Sequence, residues 1–207
     1  FYLLTVTDST LGYGPTRLLG GVAFSLGLIL VVVAGAELFT GNNLIVLAYA
    51  HGQIPLWAML RNWVVVYVAN LVGSLIMVAA ALASGIFDGA MGETAKAVAQ
   101  GKANLAPLEA LIRGILCNTL VCLAVWLSYA ARRVSGKVLA IVFPIAAFVA
   151  LGFEHSVANM FLMPLGLILA DVPVLAPTIA NLIPVTIGNI IGGAGFVAAT
   201  YWFCYLK

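Results

Sequence analysis

The residues FEHSVAN, at positions 153–159, lie in the middle of an apolar stretch that runs from Lys137 to Asp171. Glu154 and His155 are the only ionisable side chains among the 33 residues 138–170. A charge at the centre of a bilayer costs at least ~2.5 kcal/mol, so such side chains mark a site or a pathway. A straight helix of this length would measure about 50 Å, against about 30 Å of hydrocarbon. We therefore predict a helix that breaks near its middle and lines a cavity with its loosened backbone.

A second stretch of 33 residues, 18–50, has the same organisation. Its central residues Glu37 and Asn42 are five positions apart, as are Glu154 and Asn159, at an offset of 117 residues. Three residues that follow repeat with an offset of 119: Asn62, Asn70 and Gly73 correspond to Asn181, Asn189 and Gly192. This pattern predicts an internal repeat, and such repeats build transport sites near the middle of the membrane.

The composition favours an all-α polytopic membrane protein. Of the 207 residues, 64% are hydrophobic and 8% are charged, and the mean hydropathy is +1.15. A soluble domain of this size does not need so much apolar surface. The basic residues flank apolar segments, so the net charge of +2 does not indicate nucleic-acid binding. The cysteines 117, 122 and 204 lie within predicted spans and are interpreted as small buried side chains, without a disulfide or metal site.

The chain reads as one transmembrane domain, residues 1–207, made of two repeats over 1–87 and 106–207. Residues 1–7 are too short to span a bilayer and are interpreted as the tail of a span whose beginning is absent. Complete spans are predicted at 62–87, 114–131 and 178–206, and a polar loop at 88–105. Three spans in each half give the halves opposite orientations, as in an inverted repeat.

The charged loops predict the orientation. One side carries only basic residues, and the other mixes both signs. The first set is Arg61, Arg132, Arg133, Lys137 and Lys207, and the second is Arg17, Lys96, Lys102, Arg113, Asp8, Asp88, Glu93, Glu109 and Asp171. By the positive-inside rule the basic side, with the C-terminus, is cytoplasmic.

The residues alone leave some roles open. His155, beside a glutamate at mid-membrane, is interpreted as part of the transport path and as a proton donor or switchable charge. Glu37 and Glu154 either accept backbone N–H groups at the breaks or contact the substrate. Asn70 and Asn189 are interpreted as hydrogen bonds between helices. None of this decides whether the permeant ion is a cation or an anion.

Four segments resemble the formate/nitrite transporter family, and most closely its formate channels. They are AELFTGN (36–42), GILCNTLVCLAVW (114–126), GFEHSVANMF (152–161) and NLIPVTIGNIIGG (181–193), and the similarity extends over the whole chain. The resemblance implies a homopentamer of six-span subunits with an aquaporin-like inverted repeat and one pore in each subunit. It also implies transport of formate, nitrite or hydrosulfide across the bacterial inner membrane, without a cofactor.

The resemblance also implies roles for particular residues. His155 would be the central histidine, Thr40 its partner across the chamber, and Asn118 would lie nearby. Phe24 and Phe148 would form one apolar constriction. A second constriction would consist of Leu28, Leu38 and Val121. In the family, an N-terminal segment can approach the cytoplasmic mouth and influence gating, and the resemblance predicts that this segment is missing from the sequence considered.

We therefore expect a channel for small monovalent anions, most of all formate, with proton transfer from His155 as a means of neutralising the anion. Nitrite or hydrosulfide is an alternative substrate. A neutral-solute channel of the aquaporin type is a further alternative, although the paired Asn-Pro-Ala signature of aquaporins is absent. A structural subunit that conducts nothing is disfavoured by the two polar breaks. No nucleophile, base and orienting group occur together outside the predicted spans, so an enzyme is not expected.

Overall fold

The structure is a computed structural model that describes residues 1–7 and 10–207, and the predicted all-helical architecture is confirmed. Asp8, counted above in the charge distribution, lies outside the described residues. The α-helices of the described residues are α1 (Tyr2–Thr7), α2 (Tyr13–Ala34), α3 (Val46–Ala50), α4 (Leu56–Ala83), α5 (Ala90–Ala103), α6 (Pro107–Ala130), α7 (Val134–Ala150), α8 (Ser156–Leu169), α9 (Leu175–Ile190) and α10 (Thr200–Tyr205). A 3₁₀-helix, Gly41–Ile45, precedes α3, and a π-helix, Ile191–Ala199, joins α9 to α10.

Four helical segments are long and apolar enough to cross a membrane. They are Tyr13–Ala34, Leu56–Ala83, Pro107–Ala130 and the continuous segment Leu175–Tyr205. The shorter apolar helices α7 and α8 follow one another and together cover the length of one further crossing. The chain is therefore a multi-pass helical membrane protein.

Both predicted helix breaks are present, and the preceding helix ends in the same way at each. Gly35 follows α2 with φ 78°, and Gly152 follows α7 with φ 72°, a backbone region that favours glycine. The N–H of Ala36 donates to the carbonyl of Val31 at 3.1 Å, and the N–H of Phe153 donates to that of Phe148 at 3.0 Å. These glycine caps end the helices and free the residues that follow for the site.

Close helix packing surrounds the two breaks, both between the halves and within the second half. Gly21 of α2 lies against the backbone of Ala146 in α7, and Gly114 of α6 lies against α9 at Val185 and Gly188. A Cβ atom at Gly114 would come within 2.8 Å of the Val185 carbonyl oxygen, so only glycine allows this approach. These contacts fix α2 and α6 around the two breaks.

The prediction of a polar loop at 88–105 was wrong, because this segment contains α5, which packs along α8. Its buried face consists of small residues, with Ala95 and Ala99 almost fully buried against Gly166. Small residues allow two helices to approach closely without the large apolar side chains that mark a helix in the sequence.

The predicted bounds of two spans also shift. α4 begins at Leu56 and ends at Ala83, and α6 begins at Pro107, well before the predicted residue 114. The helices therefore continue past charged residues such as Arg61 and Arg113, as helix ends that extend beyond the hydrocarbon can do. Proline at the first position of α6 suits a helix start, since its missing N–H would have no partner there.

Candidate functional site

The two breaks face each other, and their closest polar side chains are Thr40 and His155. Thr40 Oγ1 lies 2.9 Å from His155 Nε2, and both residues are buried. Each residue directly precedes a helical segment: Thr40 precedes residues 41–50, and His155 precedes α8. The partial positive charge of two helix N-termini therefore points at this pair, an arrangement that favours an anion.

The hydrogen bonds of His155 define its tautomer. Its Nδ1 accepts the N–H of Ala158 at 3.1 Å and so caps the first turn of α8. An imidazole nitrogen that accepts a hydrogen bond carries no proton, so the proton of the neutral ring is on Nε2, facing Thr40. A second proton on the ring would require Nδ1 to lose its bond to Ala158.

Aromatic rings pack beside this pair, at the inner end of a cavity that His155 also lines. The rings of Phe24 and Phe148 meet edge to face with centroids 5.7 Å apart. Phe148 also stacks on His155 at 6.0 Å, and Tyr2 contacts Phe24 from the other side at 5.8 Å. The two phenylalanines named in the sequence thus form a contact pair immediately beside His155.

The residues of the second expected constriction lie together in the largest apolar cluster. Leu28, Val121 and Phe148 are buried in this cluster, and Leu38 packs against it. These side chains lie on α2, α6, α7 and the first break, and they surround the Thr40 side of the site with apolar groups.

Asn118 lies behind Thr40, on α6, and its amide is directed at the backbone around the site. Its Nδ2 is 3.2 Å from the Thr40 carbonyl oxygen, 2.9 Å from Asn43 Oδ1 and 2.6 Å from the Asn189 carbonyl oxygen. The thiol of Cys122 also contacts the Thr40 carbonyl oxygen at 3.3 Å. The geometry of Asn118 is that of a positioning residue.

Each break is held by a glutamate and three asparagines in the same scheme. At the second break, Asn159 Nδ2 donates to Glu154 Oε2 and to Asn181 Oδ1, and Asn189 accepts the N–H of Ser156 and donates to the Glu154 carbonyl. At the first break, Asn42 Nδ2 donates to Glu37 Oε2 and to Asn62 Oδ1. Asn70 accepts the N–H of Phe39 and donates to the Glu37 carbonyl.

The structure therefore assigns the backbone bonds to different residues from those expected. In the described residues, the side chains of Glu37 and Glu154 accept asparagine amides, and it is Asn70 and Asn189 that accept backbone N–H groups. The latter two were interpreted as links between helices. For Asn189 that interpretation is confirmed, since its Nδ2 also donates to the Gly114 carbonyl of α6 at 2.8 Å. The additional bonds to the breaks were missed because a residue type and a spacing do not identify the hydrogen-bond partner.

Lys102 is a further site residue that sequence reasoning missed. Its Nζ lies 2.8 Å from Glu154 Oε1, and the side chains of Lys102 and Glu154 are 15% and 4% exposed. Glu37 at the first break is exposed and has no ion-pair partner among the described residues. The two breaks therefore share a hydrogen-bond scheme but differ in charge.

A cavity of about 680 Å³ opens on one side of the aromatic pair. It reaches Phe24, Phe148, His155, Glu154 and Asn159, whereas Thr40, Asn118 and the leucine and valine residues named above do not line it. Lys102, Arg17 and Arg113 also line this cavity, which we call the vestibule. The vestibule leads from the surface to the aromatic pair.

The cysteines fit the interpretation only in part. Cys117 and Cys122 are buried and free, as expected, but Cys204 is exposed on α10 and is also free. The prediction was wrong for Cys204 because an apolar span of a membrane protein presents one face outward. No group of His, Cys, Asp and Glu within residues 1–7 and 10–207 is arranged to hold a metal ion.

Comparisons with known proteins identify the family of this chain. The family model described as formate/nitrite transporter matches residues 1–203. The chain is 43% identical to the formate channel FocA of Escherichia coli K12, covering 100% of this chain and 81% of the relative. It is 45% identical to a probable formate transporter of Methanothermobacter thermautotrophicus, covering 94% and 77%.

Two solved structures are also similar to the chain. One is a pentameric formate channel with formate bound, with a TM-score of 0.90, 43% identity and coverage of 100% of this chain and 90% of that one. The other is an FNT family ion channel, with a TM-score of 0.87, 33% identity and coverage of 98% and 83%.

Proposed function

Because this chain belongs to the formate/nitrite transporter family, we propose that it is a transmembrane channel for small monovalent anions, with formate as its principal substrate. The observation that carries the proposal is the Thr40–His155 pair, 2.9 Å apart, where two helix N-termini converge beside an apolar constriction. Similarity to formate channels and to a formate-bound channel supports the choice of formate.

The path begins in the vestibule and crosses the contact between Phe24 and Phe148. An unsolvated anion in an apolar constriction is strongly unfavourable, so it needs compensating donors on the far side. The O–H of Thr40 and the Nε2–H of His155 supply two hydrogen bonds, and the helix N-termini add partial positive charge. The second constriction, at Leu28, Leu38 and Val121, then limits passage on the opposite side.

In this geometry His155 acts as a neutral hydrogen-bond donor. Transferring a proton to formate would require a doubly protonated ring, and that state is incompatible with the bond between Nδ1 and Ala158. Proton transfer would therefore have to be coupled to a movement at the start of α8.

Flux measurements in liposomes test the proposal. His155→Phe removes the donor and is expected to abolish formate flux, whereas His155→Asn keeps a donor of similar size and is expected to retain flux with the wild-type pH profile. Thr40→Val should reduce flux and Thr40→Ser should preserve it, as a matched pair. Nitrite, hydrosulfide and glycerol are compared as substrates. Wild-type protein without formate flux would refute the function, and a flat pH profile in His155→Asn would refute the neutral-donor role.

We further propose that the chain resides in the bacterial inner membrane as a homopentamer with lipid around it. The pentameric formate channel to which it is similar supports this assembly. So does α4, whose residues Val64, Val68, Val72 and Ile76 are exposed in the single subunit. The matched hydrogen bonds at the two breaks support two inverted repeats over residues 1–87 and 106–207 within one domain.

The charge distribution supports a cytoplasmic C-terminus and an external vestibule. Single cysteines at Gly89 and Ser135, introduced into a Cys204→Ser background, test this orientation in intact cells. The cysteine at Gly89 should react with an impermeant thiol reagent added outside, and the one at Ser135 should not. The opposite labelling pattern would reverse the orientation.

A further inference from the structure

Two arginines from different helices meet at the end of α7. Arg17 of α2 donates to the carbonyl oxygens of Val149 and Ala150, at 3.2 and 3.4 Å. Arg113 of α6 donates to that of Gly152 at 3.2 Å. A Cβ atom added to Gly152 would lie 3.0 Å from Arg17 Nη2 and 3.8 Å from Arg113 Nη1. Nitrogens of two guanidinium groups thus lie within 4 Å of a single point. Two positive charges repel each other at such a separation, so an anion between them would be stabilised.

Arg17 gives the vestibule an excess of positive charge. Lys102 also lines the vestibule, but its charge is balanced by Glu154. Arg113 pairs with Glu109, whose side chain is half exposed. Arg17 has no carboxylate partner within the part of the chain that the structure describes. A positively charged cavity with low-dielectric walls concentrates anions.

The donors of this pair are not all used. A guanidinium group has five N–H donors in a planar fork, and two contacts are formed by each arginine. Thr16, the residue before Arg17, also lines the vestibule, and its Oγ1 is buried without a hydrogen-bond partner in the described residues. A buried hydroxyl without a partner is unfavourable unless a ligand or water supplies one.

We propose that Arg17, Arg113 and the hydroxyl of Thr16 form a receiving site for a planar anion with two oxygens, a small carboxylate or nitrite, on the vestibule side of the aromatic pair. Each guanidinium keeps N–H donors beyond those it uses, so the two arginines together can meet two oxygens at once, and the site distinguishes such anions from spherical ones of the same charge. This inference rests on the proposed function for its place in the transport path, but it makes a claim about binding alone.

Binding is measured first, without transport. Solubilised wild-type protein is titrated with sodium formate, and with sodium chloride at the same ionic strength, while its thermal unfolding is followed. Formate is expected to stabilise the protein beyond chloride. In Arg17→Gln and Arg113→Gln the apparent Kd for formate should rise about tenfold, the effect of losing one charged hydrogen bond. Lys96→Gln, which removes a cation of α5 outside the vestibule lining, is the matched control and should leave this Kd unchanged.

Flux from the vestibule side then tests the place of the site in transport. The formate concentration for half-maximal flux should rise in both arginine variants, and Arg113→Lys, which keeps the charge but not the fork, should fall between wild type and Arg113→Gln. Wild-type Kd values in both glutamine variants would overturn the inference, as would an equal effect of chloride and formate. Arginine-dependent binding in a wild-type protein that does not transport formate would refute the proposed function and leave the receiving site standing.

Discussion

Removing Lys102 is expected to destabilise the protein far more than removing Lys96 from the same helix. Lys102→Met keeps the length of the side chain but leaves Glu154 charged and 3% exposed, without its cation. Removing one partner of a buried pair costs about 3–5 kcal/mol. Asn159 Nδ2 still donates to the carboxylate at 2.6 Å. Because one charged hydrogen bond to Glu154 remains, we expect the free energy of unfolding to fall by about 3 kcal/mol, the lower end of this range.

Lys96 provides a matched control within α5. Its partner Glu93 is three residues away, and the Glu93 side chain is 71% exposed. An exposed pair contributes about 0–1 kcal/mol, so Lys96→Met should change the unfolding temperature little. Lys102→Met should lower it on the order of 10 °C for a chain of this size.

The double variant Lys102→Met with Glu154→Gln separates the lost charge pair from the lost packing. Replacing both charges of a buried pair is often close to neutral, so the double variant should recover most of the loss, to within about 1 kcal/mol of wild type. The unfolding temperature is measured in detergent for wild type, Lys102→Met, Lys96→Met and the double variant. Equal destabilisation by Lys102→Met and Lys96→Met would show that Glu154 is solvated, and the reasoning about a buried pair would be wrong.

Two further substitutions test the geometry of the path. Gly193→Ala would place a Cβ atom 2.5 Å from Asn118 Nδ2. It should therefore destabilise the protein by about 1–3 kcal/mol and reduce formate flux. Gly73→Ala is the control, since a Cβ atom there has no neighbour within 4 Å, and it should change neither stability nor flux. Phe24→Ala should open the contact with Phe148 and increase glycerol uptake at least about tenfold, as measured by stopped-flow swelling of liposomes; unchanged glycerol uptake would show that this contact does not limit passage.

The positions of the two breaks could be predicted from the sequence because ionisable residues are so unfavourable in apolar spans. Glu37 and Glu154 interrupt long hydrophobic stretches, and each lies inside its break, at residues 35–40 and 151–155. The contact between Thr40 and His155 came from family resemblance. Residues 115 positions apart carry no local signal that they touch.

The charge pair at the second break could not be predicted in the same way. Lys102 lies in a segment that is polar in the sequence, where a lysine usually faces water. Its burial depends on α5, whose packing face is made of Ala95, Ala99 and Gly92. Such small side chains occur equally in loops, so neither the helix nor the position of its last turn was evident.

The pairing of Lys102 with Glu154 also has a consequence for how the protein is made. A chain is synthesised from its N-terminus, so Lys102 emerges 52 residues before Glu154. The carboxylate at the second break therefore meets a cation that is already available when its helix enters the membrane. Glu37 has no such partner among the described residues, and its asparagines Asn62 and Asn70 are synthesised after it. Asn181 and Asn189 likewise follow Glu154, so the two breaks differ only in the cation, which precedes the carboxylate at the second break and is absent at the exposed Glu37 in the described residues.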